Sequence, residues 1–294
     1  MPTELNTRIG RTTPTPLFGL LLPIAADTAR GRARWPAIPR PLWLLAVLVA
    51  ALWPHWLYAA RRLTDGSDEP WGLLALLTVA ALLWRERATL VQPTRAALVA
   101  SALLAMFAAA AQLVLPDLAA AAIAMLALGF FLVHALRRPA TPLVLLLLLA
   151  LPIIASLQFY LGFPLRLLIA QVSSWLLWLG GLEAVAAGAS IVVDGRAVLI
   201  DAPCAGIGML WLGSYVAALA SYLQGAAAHR TALNGVLAAL LVLLANILRA
   251  TVLFFPEAGL VQWPNWSHEA VGLVAFIAAI VPLLAFTTFS RSTQ

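Results

Sequence analysis

Lysine is absent from this sequence, cysteine occurs once, and charged residues make up only 10% of its 294 positions. Each scarcity excludes something. The single cysteine, Cys204, can form no internal disulfide and no Cys-cluster metal site, and neither a metal nor a cofactor is expected. A soluble domain is about a quarter charged, so water is not the main solvent of this chain. The basic side of the formal net charge of +6 is all arginine. Those arginines sit mainly in short loops and the N-terminal tail, not on the clustered basic face of a nucleic-acid binder. No nucleic-acid partner is expected.

What the chain has instead is apolar length. It is 63% hydrophobic, with a mean hydropathy of +0.95. Apolar stretches of about 20 residues recur along it, as crossing a bilayer core of ~30 Å requires. The expected fold is an all-α polytopic membrane protein of about eight transmembrane helices, in one domain over residues 41–294, with the lipid bilayer as its partner. Residues 1–40 read as a cytoplasmic tail: the mildly apolar piece Pro16 to Ala26 lacks the cleavage site of a removed signal peptide. The expected spans are 41–60, a short one at 71–84, then 96–115, 117–136, 141–160, 205–224, 231–255 and 268–288. Every backbone polar group must be satisfied inside hydrocarbon, so these are helices.

Arginine counts set the expected orientation. With the N-terminus inside, thirteen arginines fall on the inner side. Only Arg61, Arg62, Arg166 and Arg196 fall outside, and Arg249 lies within a span. Both termini are therefore expected in the cytoplasm.

Residues 161–203 form the one long outer segment. Gln171 to Leu182, with Trp175 and Trp178, reads as a short extracytoplasmic helix at the interface. Ser190–Val193, Asp194-Gly195 and Arg196–Ile200 then read as a β-hairpin, because Asp-Gly supplies the positive φ angles of a tight turn. The hairpin leads directly to Cys204.

Three polar residues then attract notice. Cys204 stands in Asp201-Ala-Pro-Cys-Ala-Gly-Ile-Gly208, where an outer loop enters the sixth span; Gly206 leaves room for a substrate backbone. A thiol in a first helical turn is pushed toward thiolate, although a lone cysteine can equally be a small buried hydrophobe. Arg249 lies about six residues, or ~9 Å, inside the seventh span. A guanidinium there costs ~2.5–3.5 kcal/mol, so it needs a partner, a task, or a route to the interface by snorkelling. Asn246, on the same helix face, could orient Arg249 or contact substrate. His268 opens the eighth span beside Trp263 and Trp266, with Asn265 or Ser267 as the helix cap. It is either a proton acceptor or merely a wet interfacial side chain. All three reach the same outer face from consecutive spans. Nucleophile, fixed positive charge and base are the parts of acyl transfer through a thioester.

This pattern resembles the exosortase/archaeosortase family, in which a cysteine, an arginine and a histidine sit on three successive late helices. Ala-Pro-Cys-Ala-Gly206 and Asn246-Ile-Leu-Arg249 carry the likeness, with Ala205 where many members have serine; it extends over about Leu151 to Phe286, and the catalytic part it implies is about residues 151–288. The resemblance implies a cysteine peptidase or transpeptidase of the bacterial inner membrane with a periplasm-facing site. Its implied substrates are membrane-anchored proteins with a C-terminal PEP-CTERM-like signal, a transmembrane helix and a basic tail. Cys204 would attack, His268 would handle protons and Arg249 would stabilise the intermediate. Other readings are a transporter, a non-catalytic partner in envelope export, or an acyltransferase acting on lipid.

Overall fold

The computed structural model describes residues 39–64, 66, 70–264 and 266–292. The tail 1–38 and the possible cap Asn265 lie outside the described residues. Ten α-helices and one small sheet are described: α1 (Arg40–Ala51), α2 (Trp53–Thr64), α3 (Trp71–Glu86), α4 (Arg95–Ala111), α5 (Asp117–Ala135), α6 (Thr141–Leu149) and α7 (Ile154–Leu179). The sheet strands β1 (Ala184–Ala187), β2 (Ser190–Val193) and β3 (Arg196–Leu199) follow, then α8 (Ile207–Gln224), α9 (Ala228–Glu257) and α10 (Ser267–Ser292).

Two expected spans are broken, each at a proline. Residues 41–60 divide into α1 and α2, which meet at 63°. Pro54 has no N–H to continue the ladder and its ring clashes with the preceding turn. Residues 141–160 divide at Leu151-Pro152, leaving α6 nine residues long. The interface helix expected over 171–182 is the C-terminal half of the 26-residue α7. By length and composition α5, α7, α8, α9 and α10 can each cross a membrane, and α1 with α2 makes a sixth candidate. Eight was the expectation; α3, α4 and α6, at 16, 17 and 9 residues, are shorter than a bilayer-crossing helix usually is.

Contacts reveal what the short helices do. At one end of α8, Trp71 packs on Trp211 with centroids 5.8 Å apart, and the Trp211 indole donates to Leu149 O at 3.2 Å. At the other end Arg138 donates to Glu86 at 3.0 Å and to Tyr222 O at 2.6 Å, and lies over the Tyr222 ring. Helix α3 thus meets α8 through side chains near both of its ends, and the short α6 packs against both helices. Arg138 ties three elements together, and an ionised donor makes bonds worth about 1.5–3 kcal/mol each. Arg138→Met is expected to lower stability by about 2 kcal/mol, read as a lower thermal midpoint in detergent.

Helix α7 behaves differently. Gln158 near its start donates to Ala202 O at 3.0 Å, and Ser173 donates to Ile247 O at 3.3 Å. Both partners flank the Cys204 end of α8 and the Arg249 stretch of α9, so α7 lies across that end of the bundle. The Asp194-Gly195 turn is present, with φ values of 50° and 77°. A third strand, β1, joins the expected hairpin in the antiparallel order β1-β2-β3. Ile191, Val193 and Val198 on one face pack with Ile169 and Leu177 of α7 and with Ile247 and Phe254 of α9. This apolar layer anchors the chain just before Cys204.

On α10, Leu273, Val274, Ile277 and Val281 face outward and are half or more exposed. Such a surface, on a chain with five helices long and apolar enough to cross a membrane, suits lipid. The chain is a multi-pass membrane protein.

Candidate active site

Strand β3 delivers the chain into a single 3₁₀ turn, Pro203–Ala205, that carries Cys204. Pro203 pre-sets the φ of that turn. The Asp201 carboxylate accepts the Cys204 N–H at 3.1 Å, a local bond that favours the turn over continued strand. Gly206 then adopts φ 77° and starts α8. Cys204 therefore stands ahead of α8, not in its first turn as expected.

From α9, the buried Asn246 amide donates to Cys204 O at 2.9 Å. Asn246 therefore holds the cysteine turn. Gly206 has a related duty, because a Cβ there would come within 2.6 Å of the Asn246 amide nitrogen. The space it leaves is filled by Asn246 as well as opening to the cavity described below. Gly206→Ala is expected to cost about 1–2 kcal/mol for the left-handed backbone alone. It should also displace Asn246, so the thermal midpoint and the activity should fall together.

One helical turn beyond Asn246, Arg249 Nη2 donates to His268 Nε2 at 2.8 Å. A guanidinium can only donate, so Nε2 is the acceptor and the imidazole proton sits on Nδ1. That edge faces Glu257, whose Oε1 is 3.6 Å away at the end of α9. Arg249 is thus engaged with α10 and is not simply reaching for the interface. Gly272, one turn after His268, leaves room for it: a Cβ there would sit 3.4 Å from Arg249 Nε.

Burial pushes the Cys204 thiol up to about 12, and its hydrogen bond to Asp201 adds to the rise. The Arg249 charge opposes this, while the Asp201 and Glu257 carboxylates reinforce it. The resting sulfur is a thiol, contrary to the thiolate that a first helical turn would favour. The loss of water, and next the Asp201 contact, hold the proton on a sulfur that stands ahead of α8. Among the described residues, no hydrogen bond joins the thiol to Arg249 or His268. The site thus consists of two groups, Asp201–Cys204–Asn246 joined by hydrogen bonds and an Arg249–His268 bond with Glu257 3.6 Å from the imidazole, both anchored on α9.

A cavity of about 600 Å³ opens beside them, with Gly66, Gln158, Pro203, Gly206, Arg249 and Gly272 in its wall. Cys204 and His268 do not line it; their immediate neighbours do. An apolar groove of about 420 Å³ between α9 and α10 also has Arg249 in its wall, together with Leu248, Val252 and Val274. Among the described residues no group of three or more His, Cys, Asp or Glu side chains is gathered as a metal site needs.

Asp201, Glu257 and Gln158 did not stand out in the sequence. Asp201, three residues before the cysteine, carried a usable signal, since an acid at that spacing commonly caps a turn. Glu257 and Gln158 carried none, because their contacts join elements distant in sequence.

A family model, described as transmembrane exosortase, matches residues 63–285. That stretch begins in α2 and ends in α10, and it includes both groups. No curated protein and no solved structure matches the chain.

Proposed function

This chain belongs to the transmembrane exosortase family, and on that premise we propose that it is a cysteine peptidase or transpeptidase acting through a thioester on Cys204. The family processes proteins that carry a PEP-CTERM signal. In the proposed reaction Cys204 Sγ attacks the scissile carbonyl, and the S–C bond forms as the thiol proton departs. Arg249 stabilises the oxyanion, a role in which a fixed charge in a low-dielectric site is effective. The C–N bond breaks as the amine is protonated, and water or an acceptor amine then resolves the thioester. His268 serves proton transfer.

The observation that carries this reading is the Arg249–His268 bond at 2.8 Å, with Arg249 in the wall of the cavity that Pro203 and Gly206 of the Cys204 turn also line. It brings the fixed charge and the imidazole together beside a cleft large enough for a peptide segment. The catalytic part is residues 151–288 of the membrane domain 41–294, and Asn246 and Gly206 orient the nucleophile's turn. The thirteen-to-four arginine distribution supports an inner-membrane protein with cytoplasmic termini and a periplasmic site.

The test is co-expression with a protein bearing a PEP-CTERM-like signal, a transmembrane helix and a basic tail. Wild type should shorten it and Cys204→Ala should leave it full length. Equal shortening by both would end the peptidase reading and favour a transporter or a non-catalytic partner.

A further inference from the structure

The three residues of the proposed mechanism leave one question open: neither His268 nor Arg249 is bonded to the thiol. Among the described residues, the acid or base in hydrogen-bond contact with Cys204 is Asp201, whose carboxylate accepts the Cys204 N–H at 3.1 Å and so lies close enough to the thiol to raise its pKa. The imidazole cannot serve in this state, because its lone pair at Nε2 is taken by Arg249. Nothing in α9 replaces it, since Arg249 is a permanent cation and Glu257 is directed at His268.

We propose that Asp201 is a catalytic residue of this site, the group that receives the Cys204 proton as sulfur attacks. The inference rests on the thioester reading and refines it. As the S–C bond forms, the proton passes from sulfur to the Asp201 carboxylate. When the C–N bond breaks, that proton leaves on the departing amine and Asp201 is again a carboxylate. Arg249 meanwhile turns from His268 to the oxyanion, which frees Nε2. His268 is then available to deprotonate the water or amine that resolves the thioester, and as the C–S bond breaks it passes that proton to the departing Cys204 sulfur, restoring the thiol. Each half of the reaction has its own base.

The contact also explains the resting state. A carboxylate against a thiol disfavours the thiolate, so the nucleophile stays silent until a carbonyl is presented to it. The charged groups bearing on the sulfur are Asp201 from the entry loop and Arg249 and Glu257 from α9.

Asp201→Asn separates this role from a structural one. Asparagine keeps an oxygen that can accept the Cys204 N–H, so the turn stays capped, but it loses the charge and the basicity. Two measurements on the full-length purified protein decide the matter. The first is the rate of Cys204 alkylation by iodoacetamide between pH 7 and 10, site-specific because the chain has one cysteine. The second is processing of the co-expressed substrate.

Removing the charge should lower the thiol pKa and speed alkylation at pH 8 by about fivefold or more. Losing the base should slow processing by about 100-fold. A more reactive thiol in a less active enzyme is the expected result. Alkylation unchanged or slower in Asp201→Asn would overturn the proposal, because the carboxylate would not be touching the sulfur. Processing within about threefold of wild type would overturn it too, since general-base catalysis contributes far more than that. Alkylation needs no substrate, so a failure of the peptidase reading itself would be seen separately, as processing that persists in Cys204→Ala.

Discussion

Cys204→Ser is expected to fold and insert as the parent does while losing processing by on the order of 10³-fold or more. Serine retains the two bonds that hold the turn, the N–H to Asp201 and the carbonyl from Asn246. What it removes is the polarisable sulfur. A hydroxyl is far less acidic than a thiol, and the surroundings of residue 204 do nothing to ease its ionisation: burial and two carboxylates already hold the thiol proton in place. The thermal midpoint in detergent should stay close to wild type, and the processed fraction of a co-expressed substrate should collapse. Activity within tenfold of wild type would mean that sulfur is not the nucleophile.

Arg249→Lys is expected to slow processing by about 100-fold with the membrane insertion intact. Lysine preserves the charge, so any role limited to charge or to snorkelling toward the interface survives the change. It does not preserve the planar fork that lets one guanidinium reach His268 Nε2 at 2.8 Å from its place on α9. An ammonium would also not occupy the shape that Gly272 leaves open beside Arg249 Nε. A lysine variant with wild-type processing would reduce Arg249 to a membrane anchor, and the oxyanion role would fall.

The exosortase resemblance was readable from Ala-Pro-Cys-Ala-Gly206 and Asn246-Ile-Leu-Arg249, and the family match covers that stretch. The helix boundaries of α5, α8, α9 and α10 were close to those expected, because each is a long apolar run between clear polar breaks. The breaks at Pro54 and Pro152 were missed, since hydropathy stays high through both and carries no information on bending. The hairpin turn was legible in Asp194-Gly195, but β1 was not, because Ala184–Ala187 is small and apolar and pairs only once β2 exists.

From composition and pattern alone came the membrane setting, the hairpin and the order in which Cys204, Arg249 and His268 come on three successive spans. Hydropathy and the 1.5 Å rise locate a residue along its helix, and alternating loops assign the face it nears. Neither measures rotation about the helix axis or the distance to the next helix. Tertiary packing alone decided that Arg249 meets His268, that Asn246 grips the cysteine turn, and that the thiol keeps its proton against Asp201. Those outcomes depend on close approach between α8, α9 and α10 and on the water that their contact excludes, quantities that no one-dimensional pattern contains.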